Sequence, residues 1–207
     1  MNEVIVRPPQ GREIGIAKAL SNLQANIIEP VERTPWTMQR EDREQFYQLT
    51  EYLPADPSRV HLGNWHAAHR ASAIAPSESE IVAYGKALDV ANDAEPDRAQ
   101  ARAMVAMLID TNPGPRPANL TAYADAILHD LTVMGFTPTA VALGCEALRR
   151  SPAKFLPSVG EAIEACTDAR ERLEQKRKHH WWLAARVERA RAIASLPQPE
   201  PAGEPRP

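Results

Sequence analysis

Cysteine, glycine and aromatic residues are all scarce in this sequence. Phe, Trp and Tyr make up 5% of its 207 residues, glycine occurs 9 times, and cysteine occurs only as Cys145 and Cys166. Because they form no Cys-x-x-Cys motif, we expect two reduced thiols inside a helical core. No apolar run is long enough to cross a bilayer, and the first residues lack the pattern of a secretory signal. These absences favour a cytoplasmic protein with no membrane partner.

The common catalytic motifs are missing as well. The sequence has no Gly-x4-Gly-Lys-Ser/Thr loop for ATP, no Gly-x-Ser-x-Gly elbow and no His-Glu-x-x-His helix. His61, His66 and His69 lie close together, but no cysteine or acidic residue at a suitable spacing completes a metal site. Acidic side chains cluster at predicted helix ends, where they complement the helix dipole. We therefore expect a protein that is not an enzyme and that uses no cofactor.

What the sequence does contain is helical patterning. Ala, Leu, Ile and Val dominate the apolar content and recur at helical spacing, whereas strand-forming runs are rare. Several helix boundaries are marked by capping signals. Ser77 with Glu80, Thr137 with Pro138, and Ser158 with Glu161 are predicted to start helices, Asn119 to cap one, and Gly135 to end one. The sequence predicts an all-α protein.

The predicted architecture is a compact helical bundle with a long projecting C-terminal helix and an extended N-terminal region. Residues 1–76 are expected to begin with an extended arm over Met1 to Arg12 and to hold two helices, the first of which covers Glu13 to Ile28 and ends at Glu29 and Pro30. The connection over Pro54 to Pro76 is expected to be mostly irregular, with room for a short helix near Trp65 to Ala73. Residues 77–170 form the predicted core domain, and residues 171–196 the projecting helix. Residues 197–207 are Pro-rich and expected to be disordered.

A basic and aromatic cluster on the long helix is the main candidate for a binding site. It comprises Arg170, Lys176, Arg177, Lys178, Trp181 and Trp182. Cations beside aromatic rings can hold phosphates and stack on unpaired bases. Alternatively, Glu171 and Glu174 partly neutralise an exposed helix while the two Trp side chains pack on a protein partner.

The stretch Arg149 to Cys166 joins the predicted core to the long helix. Phe155 and Leu156 precede Pro157 and are expected to pack as a plug that fixes the direction of the helix. Arg149, Arg150 and Lys154 around this turn either form a contact surface or act as favourable cations at a helix C-terminus.

The region from Met107 to Cys166 resembles a helical module encoded in the replication regions of phages and prophages. The matching segments are LIDTNPGPRP, LTAYADAILHDL, FTPTAVALGCEALRRS and KFLPSVGEAIEAC. It is also similar to the N-terminal domain of phage helicase loaders that lack an ATPase, whose Phe-x-Pro-Thr/Ser-x-x-Glu segment matches the end of Lys154 to Glu161. The resemblance covers less than a third of the chain. In that family the region after the helical domain engages the helicase, whereas here a long helix with a Trp pair takes that position.

The resemblance and the missing P-loop together imply a non-enzymatic phage DNA-replication accessory protein. We expect a helicase loader or adaptor whose partner is a replicative helicase, with DNA as a further candidate partner. The alternative is a DNA-binding regulator or an oligomeric phage structural protein that associates through the long helix. A net charge of −3 argues against a protein that coats nucleic acid by bulk positive charge.

Overall fold

The structure is a computed structural model that describes residues 21–22, 24–32, 40–112, 114–152 and 155–200. These residues form helices and connecting turns, without a strand among them, which confirms the all-α class. The predicted N-terminal arm and most of the predicted C-terminal tail lie outside the described residues.

Eight α-helices follow one another in the described part of the chain. They are α1 (Glu29–Glu32), α2 (Arg40–Thr50), α3 (Leu62–Ile74), α4 (Glu78–Asp93), α5 (Arg98–Thr111), α6 (Leu120–Val133), α7 (Pro138–Arg150) and α8 (Val159–Ala194). A π-helical turn, Gln24–Ile28, precedes α1, and a 3₁₀ turn, Pro57–Arg59, precedes α3. The long C-terminal helix is confirmed: α8 has 36 residues, so it extends over about 54 Å.

The chain divides into two compact units, and each is built from separate stretches of sequence. The first unit contains Met1–Arg33 and Ala87–Lys176, and the second contains Thr34–Lys86 and Arg177–Pro207. The boundaries fall inside α4 and α8, so each of these helices contributes to both units. This division differs from the predicted series of consecutive segments, because distant stretches of sequence share each hydrophobic core.

The first unit packs α5 against both α6 and α7, and α7 against the π-helical turn. Its large buried side chains include Leu108, Ile127, Leu131, Phe136 and Leu173. The helix starts follow the predicted caps: the side chains of Asn119 and Thr137 accept backbone N–H groups of the first turns of α6 and α7. Gly135 ends the turn after α6 with φ +64°, a conformation that favours glycine.

A close helix crossing also belongs to the first unit. Gly144 of α7 lies against the backbone of Cys166 in α8, because a Cβ atom at position 144 would sit 2.8 Å from the Cys166 nitrogen. Both cysteines are buried and free, as expected for reduced core residues. The contact with Cys166 and burial raise the pKa of the Cys145 thiol well above its ordinary value.

The second unit packs α2 and α3 against the last five turns of α8. Phe46, Leu53, Ala68 and Ala71 form one side of its core. The α8 side of that core consists of Leu183, Val187, Ala190 and Ile193. The apolar residues after Trp182 therefore pack inside this unit, which differs from the predicted projection of residues 171–196 into solvent.

Two N-terminal expectations need correction. The connection from Pro54 to Pro76 is not mostly irregular, because it contains the 13-residue helix α3, which is longer than the short helix allowed near Trp65 to Ala73. Its start is capped by His61 together with Asn64. Histidine is an uncommon N-cap, so the sequence before α3 carries no standard signal for a helix start. Likewise, Pro30 does not end the preceding helical run: the π-helical turn Gln24–Ile28 is followed directly by α1, whose second residue is Pro30. Most of the helix predicted over Glu13–Ile28 lies outside the described residues.

The corner before α8 is held by backbone contacts. Phe155 is 66% exposed, so its part in the predicted apolar plug is wrong, whereas Leu156 is half-buried. The corner is held instead by hydrogen bonds from side chains to its backbone carbonyls: Asn112 Nδ2 donates to Phe155 O at 3.2 Å, and Tyr123 Oη donates to Pro157 O. The predicted capping box is confirmed, since Ser158 N and Oγ both donate to the Glu161 carboxylate.

Candidate functional site

The six residues predicted as a binding site all lie on α8, but they fall into both units. Arg170 and Lys176 belong to the first unit. Arg177, Lys178 and the two Trp residues belong to the second. The structure gives these two groups different surroundings.

Arg170 packs inside the first unit. Its guanidinium carbon lies 4.8 Å from the ring centroid of Phe136, a side chain that is itself buried. This cation–π contact covers the core and fixes the guanidinium in place. Arg170 therefore stabilises the fold in this arrangement.

Lys176 also makes an internal contact. Its Nζ donates a hydrogen bond of 2.9 Å to the backbone carbonyl of Val31, in the last turn of α1. A cation at a helix C-terminus neutralises the partial negative charge of the unpaired carbonyls. Partial burial lowers the pKa of Lys176 below its ordinary value, while the nearby Glu32 carboxylate opposes that shift. This geometry indicates a structural role for the Lys176 ammonium group.

Trp181 stands out on the surface of the second unit. Its side chain is 62% exposed, and the Arg177 guanidinium carbon lies 5.9 Å from its ring centroid. Lys178, on the same exposed side of α8, is exposed as well. We call Arg177, Lys178 and Trp181 the Trp181 facet. It combines an exposed indole ring with the exposed Lys178 and the half-buried Arg177.

Trp182 is held by its neighbours and is 44% exposed. The Arg186 guanidinium carbon lies 3.7 Å from its ring centroid, the His179 ring stacks at 5.8 Å, and the Tyr47 ring tilts against it at 5.5 Å. We call Tyr47, His179, Trp182 and Arg186 the aromatic cluster. Such contacts hold the indole ring in one position before any partner arrives.

Hydrogen bonds join the aromatic cluster across α2 and α8. Tyr47 Oη and His179 Nε2 lie 3.0 Å apart, and Arg186 Nη1 donates to Thr50 Oγ1 at 3.2 Å. Burial raises the pKa of Tyr47, and the positive charges of Arg43 and Arg186 oppose that shift. The phenol therefore stays protonated near neutral pH and can donate to the imidazole.

Only part of this site is predictable from the sequence. Trp182 and Arg186 are four residues apart, a spacing that places them on one helix face. Arg186 is nevertheless not among the six residues of the predicted binding site. Tyr47 lies 135 positions from Trp182, and nothing local to either residue signals their contact. Long-range packing of this kind requires the fold.

The two consecutive histidines of α8 have different environments. His179 is exposed and belongs to the aromatic cluster. His180 is 5% exposed, with its ring edge-on to Tyr84 at 5.4 Å and its Nε2 against Gly85. The two neighbouring histidines are thus divided between surface and core.

The other candidate sites give less support for binding or catalysis than the aromatic cluster and the Trp181 facet. Trp65 is flanked by the rings of His66 and His69, and its Nε1 donates to Leu196 O at 2.9 Å, which is a packing arrangement. In the described part of the chain, no three His, Cys, Asp or Glu side chains gather as metal ligands. A groove between α5 and α6 has an apolar floor around Val105 and Ile109 and a volume of about 320 Å³, at the lower end of ligand pockets.

Comparisons with known proteins leave the site to be interpreted from its own geometry. Among the described helices, none combines the length and apolar character that spanning a bilayer requires. No protein-family model, curated protein or solved structure matches the chain.

Proposed function

We propose that this protein is a non-enzymatic accessory protein of phage DNA replication, which acts in the cytoplasm as a loader or adaptor for a replicative helicase. The observation that carries the proposal is the pair of exposed Trp side chains on α8, at the position where the resembled loaders engage their helicase. The similarity of Lys154 to Glu161 to the loader segment supports it. Lys154 itself lies outside the described residues.

The physical argument is that exposed Trp side chains stabilise protein interfaces. Tryptophan is enriched among the residues that contribute most to binding, because a large ring buries much apolar area with few rotatable bonds. Trp182 is already immobilised by Tyr47 and Arg186. A ring that is ordered beforehand loses less conformational entropy when the partner binds.

Binding of the full-length protein to the replicative helicase of the phage or its host tests the proposal. We expect capture of the helicase by the wild-type protein and loss of capture in the double variant Trp181→Ala, Trp182→Ala. Tyr52→Ala is the matched control, because Tyr52 is an 80% exposed aromatic residue of the same unit. Absence of capture by wild-type protein with an intact helical circular dichroism spectrum would refute the proposal.

A second candidate function is DNA binding by a regulator. One observation favours it: the sequence has no carboxylate between residues 175 and 187, where it has four Lys or Arg residues. Light scattering together with DNA titration separates the candidates. A stable oligomer that binds duplex DNA in a salt-sensitive manner, without helicase contact, would support the regulator.

A further inference from the structure

A row of exposed side chains follows α8 on the side opposite to the core of the second unit. Leu183 and Val187 point into that core. Successive spacings of three, four and three residues place the exposed positions on one helix face, which lies away from Leu183 and Val187. The exposed positions are Lys178, Trp181, Ala185 and Glu188. We call these four residues the α8 stripe.

The α8 stripe is complementary to itself when a second copy runs in the opposite direction. Lys178 and Glu188 are equally far from position 183, and so are Trp181 and Ala185. A second α8 that lies antiparallel, with its position 183 at the same level, therefore places Glu188 opposite Lys178 and Ala185 opposite Trp181. A twofold axis repeats each contact, so one register brings together two charge pairs and two ring contacts.

The indole ring of Trp181 supplies the apolar part of such a contact. It is 62% exposed, and tryptophan is among the residues that contribute most to interfaces. Ala185 carries only a methyl group, so the ring of the second copy can lie close to the helix backbone at this position. Covering the ring removes apolar surface from water, which favours association.

The charged ends of the α8 stripe are open to pairing. In the part of the chain that the structure describes, the Lys178 ammonium and the Glu188 carboxylate take part in no ion pair. Glu174 lies one turn before Lys178 on the same face, so its carboxylate already attracts the ammonium. In the antiparallel pair, Glu174 faces the exposed Ala192 of the second copy, and Lys178 lies between two carboxylates. The half-buried Arg177 is not part of the stripe.

We infer that two copies of the chain associate through an antiparallel pair of α8 helices, in register about position 183. A parallel pair would place Lys178 against Lys178 and Glu188 against Glu188, which repel each other. The pattern selects a second copy as the occupant, since the stripe supplies both members of every contact. One helix face per copy buries an area at the low end of specific interfaces, so the dimer should dissociate on dilution.

This dimer does not depend on the proposed function. Both associations use the Trp181 ring, so the helicase and the second copy compete for it. Dimerisation alone does not distinguish the adaptor from the DNA-binding regulator, because the regulator must also bind duplex DNA.

Charge reversal in the full chain tests the register. Sedimentation equilibrium measures self-association at concentrations up to about 1 mM, where a weak dimer is populated. We expect Lys178→Glu and Glu188→Lys each to weaken self-association about ten-fold, because each variant puts like charges opposite each other twice. An equal mixture of the two variants should form a heterodimer as strong as the wild-type dimer, since every reversed charge then faces an opposite one.

Further variants separate the ring and the fold from the charge. Trp181→Ala removes the ring contact and should weaken self-association about ten-fold. Arg98→Glu reverses an exposed cation in the first turn of α5, where an acidic side chain suits the helix dipole. It should leave self-association unchanged, because Arg98 is not part of the stripe. Circular dichroism of every variant verifies that the helices persist.

Three outcomes overturn the inferred dimer. They are a wild-type chain that stays monomeric over this range, self-association that Trp181→Ala or both charge reversals leave unchanged, and a mixture of the two reversals that does not associate. A dimer without capture of the helicase would refute the proposed function alone. Capture of the helicase by a chain that stays monomeric would refute the dimer alone.

Discussion

At the scale of single residues, Gly144 allows α7 and α8 to approach closely. A Cβ atom at this position would lie 2.7 Å from Cys166 Sγ and 2.9 Å from Cys166 Cα. Backbone atoms cannot rotate away as a flexible side chain can, so Gly144→Ala should lower the free energy of unfolding by about 1–3 kcal/mol or more. Urea denaturation measures this. Gly160→Ala is the control: its Cβ would meet only Ser158 Oγ at 3.9 Å, so stability should stay equal or rise by up to about 1 kcal/mol.

Glu146 shows how burial changes the contribution of an ion pair to the stability of the fold. Arg149 donates to both of its carboxylate oxygens at 2.6 Å, and Arg150 donates to Oε1 at 2.7 Å. These bonds lower the pKa of Glu146, so its stabilisation is present above the pKa of the unfolded chain and is lost as pH falls through the lower folded value. Glu146→Gln should therefore cost about 1–3 kcal/mol at pH 7 and weaken the acid dependence of stability.

The matched control for Glu146 is an exposed pair of the same kind. Arg40 and Glu44 are also four residues apart and 3.1 Å from each other, but their side chains are 89% and 63% exposed. Because solvent screens such a pair, Glu44→Gln should change the free energy of unfolding by less than about 0.5 kcal/mol. Equal losses for the two variants, measured by urea denaturation from pH 3 to 7, would contradict the assigned role of burial.

At the scale of elements, α3 depends on an uncommon cap. His61 Nδ1 accepts the Asn64 N–H at 3.3 Å, and the Asn64 side chain accepts the His61 N–H. His61→Ala should lower stability by about 0.5–2 kcal/mol, and His61→Ser should restore it, because serine is a preferred N-cap. Thermal unfolding followed at 222 nm measures both variants. A serine variant no more stable than the alanine variant would show that the cap contributes little.

The same helix shows which elements a sequence can predict. Ser77, Asn119, Thr137 and Ser158 cap helices as expected, since each signal acts within four residues of chain. α3 is capped by His61, which is not one of the common N-cap residues, so the sequence predicts a mostly irregular connection there. The exposure of Phe155 was also unexpected, because the corner is held by side chains from α5 and α6 that donate to its carbonyls. Local chemistry predicts boundaries, and packing decides which faces are buried.

At the scale of the whole molecule, the second unit is stable only when both of its separate stretches of sequence are present. Leu183, Val187 and Ala190 of α8 share one core with Phe46 and Leu53 near α2. A chain ending at Lys176 would leave the apolar faces of α2 and α3 without their partners, so those helices should unfold as well. Circular dichroism should therefore show a loss of helix greater than the deleted segment contains. A chain ending at Leu196 keeps these contacts and should retain the full helical signal. If instead the shorter chain loses only its own helical residues, this part of α8 would behave as an independent arm, and the shared core would not stabilise the unit.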